Sequence, residues 1–262
     1  MFTNYFKQVI LKLKFNYRKL LSIVAIIAIW ELLCDIGYVN IRILPSPYVV
    51  LITLYHLIIS GSILFDMLTS LWRVIVGFLI AVFLGIVTGY FTATNKKASD
   101  FLTPLIEILR PIPPVAFIPL SILWFGIGNA PAYFLVAFGS FFPIFTNTFY
   151  GIKSVNKIHI DAALCLGASR KQLVFDVIIP AAMPFITVGL KTGIGVAWFC
   201  VIAAELVGAQ SGLGYMIQLN RLTLQSENVI AGMVMIGLIG FLMSRMMVFI
   251  QKKLVPWSNK TS

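Results

Sequence analysis

The chain reads as an all-α polytopic membrane protein of about six transmembrane helices, each predicted from an apolar run. Three observations carry that reading: composition, the length of the apolar runs, and where the basic residues fall. Of 262 residues, 60% are hydrophobic and only 11% charged, with a mean hydropathy of +0.96; a soluble domain is about 25% charged. Runs near 20–36, 68–92, 102–126, 131–150, 184–208 and 229–250 approach or exceed the roughly 20 residues that cross a bilayer as a helix. The formal net charge of +11 would suit nucleic acid, but its distribution excludes that partner. With the N-terminus inside, 15 of the 20 Lys and Arg lie on the cytoplasmic side, in the segments around Lys7–Lys19, Lys96–Lys97, Lys153–Lys171 and Arg245–Lys260. Only Arg42 and Arg221 fall outside, while Arg73, Arg110 and Lys191 lie within or at the ends of spans. Cytoplasmic loops hold the excess of Lys and Arg, so both termini are expected in the cytoplasm and the chain in the plasma (inner) membrane.

Residues 1–19 set Phe2, Tyr5, Phe6, Val9, Ile10 and Leu13 among lysines. They read either as an amphipathic helix on the inner leaflet or as a basic tail. The first apolar run follows with no small-x-small cleavage site in register, so it is read as an uncleaved helix. One membrane domain is expected over 20–251, with a cytoplasmic tail over 252–262. An outside loop over 37–65 contains Leu44-Pro45-Ser46-Pro47 and a short helix from Tyr48 to Ile59. In the second run Gly85 and Gly89 form a GxxxG pair, which allows close helix contact.

The third run holds Pro104, Pro111, Pro113, Pro114 and Pro119 together with Glu107 and Arg110. Such broken backbone is tolerated at membrane depth only when it is buried in protein or lines a wet cavity. Two readings stand: a pathway-lining or gating segment, or a short interfacial helix followed by a span from Val115. Glu107 and Arg110 are i, i+3 neighbours and are placed to pair. The fourth run carries Pro143 and Asn147. The fifth carries Trp198 and ends in Ala203-Ala204-Glu205. An acidic group at the bilayer centre costs about 2.5–3.5 kcal/mol on insertion scales, so Glu205 is expected to face the bundle interior or water. After Gly208, Ser211-Gly212-Leu213-Gly214 reads as a turn that tucks a short helix onto the bundle.

The most polar stretch is the cytoplasmic segment 155–180. From Asp161 it reads DAALCLGASRKQLVFDVIIP. Asp161, Ala162, Ala163 and Gly167 have the spacing of a short helix that ends at a glycine, whose small face lets a partner approach the backbone. Ser169-Arg170-Lys171-Gln172 reads as a capping box that starts a second helix. Leu173, Val174, Val177 and Ile178 would form its apolar face, with Arg170, Lys171 and Asp176 in water. Pro180, which lacks a backbone donor, is expected to close it.

No GxxxxGK[ST] phosphate loop occurs, so nucleotide use is expected to belong to a partner. HExxH and GxSxG are absent, and His56 and His159 fall on opposite predicted sides, so neither metal nor nucleophilic catalysis is indicated. Cys34, Cys165 and Cys200 are isolated and read as packing residues, with Cys165 a thiol in the cytoplasmic segment. Two rival classes remain on these features alone. A membrane-embedded enzyme using Glu205 would act without an ATPase; an ATP-independent channel or carrier would be expected to show repeat symmetry or several intramembrane charges.

Residues 161–180 resemble the signature of the permease subunits of binding-protein-dependent ABC importers. That signature is Glu-Ala-Ala, three residues, Gly, nine residues, then Ile-x-Leu-Pro, matched here by Asp161-Ala162-Ala163, Gly167 and Val177-Ile178-Ile179-Pro180. Arg110-Pro111-Ile112-Pro113-Pro114, Leu123-Trp124-Phe125-Gly126-Ile127-Gly128, Phe142-Pro143-Ile144 with Asn147, Gly195-Val196-Ala197-Trp198, Ala203-Ala204-Glu205 and Ser211-Gly212-Leu213-Gly214 resemble the nitrate, sulfonate, taurine and bicarbonate branch. The resemblance covers about 42–256. It implies a type I importer permease architecture and a cytoplasmic coupling helix that contacts the ATPase through Asp161, Ala162, Ala163, Leu166, Gly167, Ala168 and Arg170. It also implies a second permease copy, two cytoplasmic ATP-binding subunits that hold ATP and Mg, and an extracytoplasmic solute-binding protein. The permease itself binds no cofactor in this reading. Arg110, Pro113, Pro114, Asn147, Trp198 and Glu205 are the expected pathway residues, with Arg73 a candidate partner for Glu205. The implied solute is an organic sulfonate or taurine-type anion, with nitrate or bicarbonate as alternatives.

Overall fold

In a bilayer every backbone donor must be satisfied within the chain, and the apolar runs accordingly fold as long helices. The computed structural model describes residues 21–22 and 24–257. The basic segment 1–19 and the end of the 252–262 tail lie outside these residues. Helix α1 covers 24–35 and is followed by α2 (Pro47–Ile59), where Ser46 accepts a hydrogen bond from the Val49 amide at 3.5 Å and Pro47 occupies the first turn. The Glu31 side chain accepts from the Tyr48 amide at 3.2 Å, tying α1 to the start of α2.

Four helices are long and apolar enough to span: α3 (Ser62–Thr94), α6 (Asn129–Lys153), α8 (Arg170–Gly208) and α10 (Ser226–Leu254). Shorter helices join them: α4 (Lys96–Leu109), α5 (Ile118–Phe125), α7 (Lys157–Cys165) and α9 (Leu213–Leu222). The proline-rich third run is a broken one. α4 ends before Arg110, and a 3₁₀ turn over Pro114–Phe117 leads into α5, with a bend of 86° between the two halves. The expectation that no straight helix crosses there is met. Both halves together carry the chain from the end where α3 stops to the end where α6 starts, as a fifth, broken crossing.

α6 is the central helix, sandwiched between α3 and α8. Glycine makes both contacts possible. A Cβ at Gly77 would lie 2.6 Å from that of Val136, one at Gly85 2.8 Å from Ile144 Cγ2, and one at Gly89 2.9 Å from Thr148 Cβ. On the other face a Cβ at Gly189 would lie 2.8 Å from that of Asn147. The GxxxG pair is therefore a packing device, as membrane helices without a hydrophobic drive to associate require. The main core gathers Val74, Val136, Ala197, Trp198, Val201 and Leu213. A second cluster packs Ile106 of α4 on Phe142, Phe145 and Phe149 of α6.

Pro180 does not close the helix that begins at Arg170. α8 runs on through Pro180 and Pro184 to Gly208. The reason lies just upstream, where Leu173–Ile178 is wound as a π-helix. Its wider i→i+5 ladder precedes Pro180, which sits at the first turn of the regular helix, where a missing donor costs little.

The two ends of the bundle are distinct. Phe91 near the end of α3, Ile152 near the end of α6, Val174 near the start of α8 and Leu254 at the end of α10 line one cavity, so these termini share an end with α7. Residues around Arg73, Asn129, Glu205 and Ser211 gather at the opposite end.

Candidate functional site

At the α7 end, α7 packs against the π-helical start of α8 and has no fully buried residue. Asn156 caps it, its Oδ1 accepting from the Ile158 amide at 3.0 Å. Its other end is a Schellman closure: the Ala168 amide donates to Ala163 O at 3.0 Å and the Gly167 amide to Leu164 O at 3.0 Å. That closure needs a left-handed residue, supplied by Gly167 at φ +83°, and a Cβ there would meet nothing within 4 Å. Gly167 is thus favoured by backbone geometry, with open space around it. Asp161 and Ala162 are exposed and Ala163 is half-buried. Leu166 is 88% exposed and Ile158 70%, two apolar side chains without cover. The predicted capping box forms: the Ser169 amide donates to Gln172 Oε1 at 2.9 Å, and Ser169 Oγ accepts from the Gln172 amide at 3.4 Å. Arg170, Lys171 and Asp176 point to open space, and Ile178 is buried, as the pattern predicted.

At the other end, Arg73 and Glu205 form a buried ion pair, Nη1 to Oε1 at 2.8 Å, with side chains 2% and 0% exposed. Ser70 Oγ lies 2.8 and 2.9 Å from the two Glu205 oxygens, and the Gly214 amide donates to Oε2 at 2.9 Å. Arg73 also donates to Ser211 O at 2.6 Å, to Ser211 Oγ at 3.0 Å and, through Nε, to Asn129 Oδ1 at 2.8 Å. The Gly212 amide donates to Asp66 at 2.8 Å and the Leu213 amide to Ser70 Oγ at 3.0 Å. These bonds tie α3, the start of α6, the end of α8 and the turn before α9 into one cage. A buried charge is tolerable only when paired and hydrogen-bonded; both are here.

The expected pathway residues do not converge. Arg110 and Pro113 are exposed at the α4–α5 bend, and Pro114 is half-buried, its ring beside Gly139. Glu107 and Arg110 line one narrow crevice against α6 but form no ion pair. The side-chain amide of Asn147 donates to Pro143 O at 2.8 Å. Trp198 is buried and donates from Nε1 to Ile236 O at 3.1 Å, its ring against Gly240. Glu205, expected to face the interior or water, is enclosed. They fall at four separate places: the α4–α5 bend, the α6–α8 seam at Asn147, the α8–α10 contact at Trp198 and the Arg73–Glu205 pair. Sequence reading missed Asp66, Ser70 and Asn129, and took Ser211 as part of a turn without its bonds to Arg73. Asp66, Ser70 and Arg73 stand at i, i+4 and i+7 on an apolar helix, a polar stripe on one face that marks a buried network. Asn129 and Ser211 reach the cage only through tertiary contact.

Residues 81–260 match the family described as the binding-protein-dependent transport system inner membrane component. The chain belongs to that family. It is accordingly a multi-pass permease subunit of an ABC importer. SsuC of Bacillus subtilis, by name an aliphatic sulfonates transport permease, is 36% identical over 89% of this chain and 85% of its own. The taurine transport system permease TauC of Escherichia coli is 34% identical over 91% of this chain and 89% of its own. The nitrate import permease NrtB of Synechocystis is 31% identical over 93% and 90%. The fold is similar to that of the MetNI methionine ABC transporter in an inward-facing crystal form, with a TM-score of 0.64, 17% identity and coverage of 75% of this chain and 97% of that one. These likenesses favour the permease over the channel, carrier and enzyme readings.

Proposed function

We propose that this permease carries an organic sulfonate or taurine-type anion, that α7 is its coupling helix, and that α7 faces the cytoplasm. The names of SsuC and TauC support the solute class, and nitrate, from NrtB, is the runner-up. Two ATPase subunits, which hold the ATP and Mg, dock on the segment from Asp161 to Arg170; a second copy of the permease and an extracytoplasmic solute-binding protein complete the assembly. The lysines around α7, at the end that also carries Lys96, Lys252 and Lys253, support its cytoplasmic placement, with both termini on that side.

The observation that carries this reading is α7 itself: a capped, glycine-closed helix with nothing buried and with Ile158 and Leu166 uncovered. An exposed apolar side chain on a rigid element suits a partner's groove. Substituting Gly167 tests it. Asp is among the residues that tolerate the left-handed region, and the site has room for a side chain, so Gly167→Asp keeps the fold and puts a carboxylate on the docking face. Uptake into cells is expected to be lost while the purified variant stays folded. Gly167→Asn, isosteric and uncharged, is expected to retain most uptake. Wild-type uptake in Gly167→Asp would refute the assignment.

A further inference from the structure

The end opposite α7 carries two cations that no carboxylate answers. Arg42 lies ahead of α2 and Arg221 in the last turn of α9, yet both line one cavity of about 760 Å³. Among the described residues the ion pair is Arg73 with Glu205; neither Arg42 nor Arg221 forms one. Glu227 lines the same cavity from the first turn of α10, where the helix N-terminus favours its charge, and it lies beyond ion-pair distance of both guanidinium groups. The cavity therefore has a positive surplus.

Its walls are built and held. Ser226 Oγ donates to Arg42 O at 2.7 Å, pinning the Arg42 segment to the start of α10. Asn228 Nδ2 donates to Asn220 Oδ1 at 2.8 Å and to Gln225 Oε1 at 2.7 Å. With its oxygen engaged, Gln225 keeps an amide NH₂ without a partner beside the cavity. The turn between α9 and α10 is closed by the Gln225 amide on Asn220 O at 2.9 Å and the Leu224 amide on Arg221 O at 3.3 Å, which holds Leu224 at φ +57°, an unfavourable region for a branched side chain. Beneath the polar rim the lining turns apolar along α10, with Val229, Ile230 and Met233.

We infer that this cavity is a binding site for an amphiphilic organic anion: a sulfonate or phosphate head held by Arg42, Arg221 and the Gln225 amide, with an apolar tail along Ile230 and Met233. Guanidinium groups match tetrahedral oxyanions with paired donors, and an unpaired cation pair on a surface otherwise poor in Lys and Arg concentrates anions locally. Two sources carry that chemistry: an alkyl sulfonate arriving as solute, and an anionic phospholipid of the facing leaflet. The site does not rest on the import reading, because its occupancy is measured without ATPase partners.

The test uses the full chain in phosphatidylcholine nanodiscs, titrated calorimetrically with hexanesulfonate. Saturable binding is expected, tighter than for methanesulfonate, and weakened about tenfold or more in each of Arg42→Gln and Arg221→Gln, as loss of one charged hydrogen-bonding partner predicts. Doping the discs with phosphatidylglycerol separates the sources: competition that raises the apparent Kd supports a lipid occupant, and an unchanged Kd supports the solute. Absence of saturable binding to the folded chain, or equal affinity in the double variant, overturns the inference.

Discussion

The two ends of the bundle are held by opposite means. At the Glu205 end, Asp66, Ser70, Arg73, Asn129, Glu205 and the turn at Ser211–Gly214 share a closed set of charged and neutral hydrogen bonds. Among the described residues no comparable hydrogen-bond network joins the helices at the α7 end. There α8 is wound as a π-helix over Leu173–Ile178, and an apolar cavity of about 380 Å³ opens between α3, α6, α8 and α10. The Thr148 hydroxyl on its wall is buried without a partner. π-helical turns recur at functional sites, and apolar voids forfeit packing contacts. Polar cross-links are thus concentrated at one end, while the other, where α7 is presented, is packed by apolar contacts around Ile152, Ile178 and Ala182.

Breaking the cage is expected to have the largest effect. Arg73→Met leaves the Glu205 carboxylate buried without its counter-charge, and Glu205→Leu strands Arg73. Each is expected to cost about 3–5 kcal/mol, read as a fall in midpoint when the purified permease is unfolded by denaturant. Combining Arg73→Met with Glu205→Leu removes both charges together, and replacing a buried pair by apolar groups is often neutral, so the double variant should recover much of the loss. Additive losses would mean that the two side chains act independently and that the Glu205 end is not one unit.

How much of this contrast was legible in the sequence depended on range. Signals within four residues were legible: the Ser169–Gln172 box and the close approach at Gly85 and Gly89. The prolines of 104–119 excluded a straight helix, but the 86° bend depends on how α4 packs onto Phe145 and Phe149, which no local pattern encodes. Pro180 misled because the rule that proline stops a helix assumes a regular α ladder upstream, and the π turn removes that premise. Glu205 was picked out as costly, and Arg73 as its candidate partner, yet the cage around them depends on residues 56 to 138 positions away from Arg73 in sequence.

Between the ends runs the α3–α6 seam, and Gly85→Ala probes it. The added methyl would come 2.8 Å from Ile144 Cγ2 and 3.2 Å from the Phe145 amide nitrogen. Overpacking of this kind typically costs about 1–3 kcal/mol, and a backbone atom among the neighbours leaves little room to yield. The same unfolding measurement should place Gly85→Ala below the Arg73 and Glu205 single variants. A loss as large as theirs would shift the weight of the fold from the cage to the seam.

The smallest effect, and the sharpest on the comparison, is expected from Ser169→Ala at the α7 end. It removes the hydroxyl that accepts from the Gln172 amide and donates to Gln172 Oε1, leaving only the backbone amide of residue 169 to hold that side chain. Loss of an N-cap costs about 1 kcal/mol, a factor of about five in a local opening equilibrium. If the ends are mechanically separate, hydrogen exchange should quicken by about that factor at the amides of 170–174 and remain unchanged at Gly212 and Gly214, which are held by Asp66 and Glu205. α8 runs as one helix from Arg170 to Gly208 and so joins the cap directly to the cage. Faster exchange at both sites would therefore mean that fraying at the cap travels along α8 through the π turn, and that the cage is coupled to α7 instead of isolated from it.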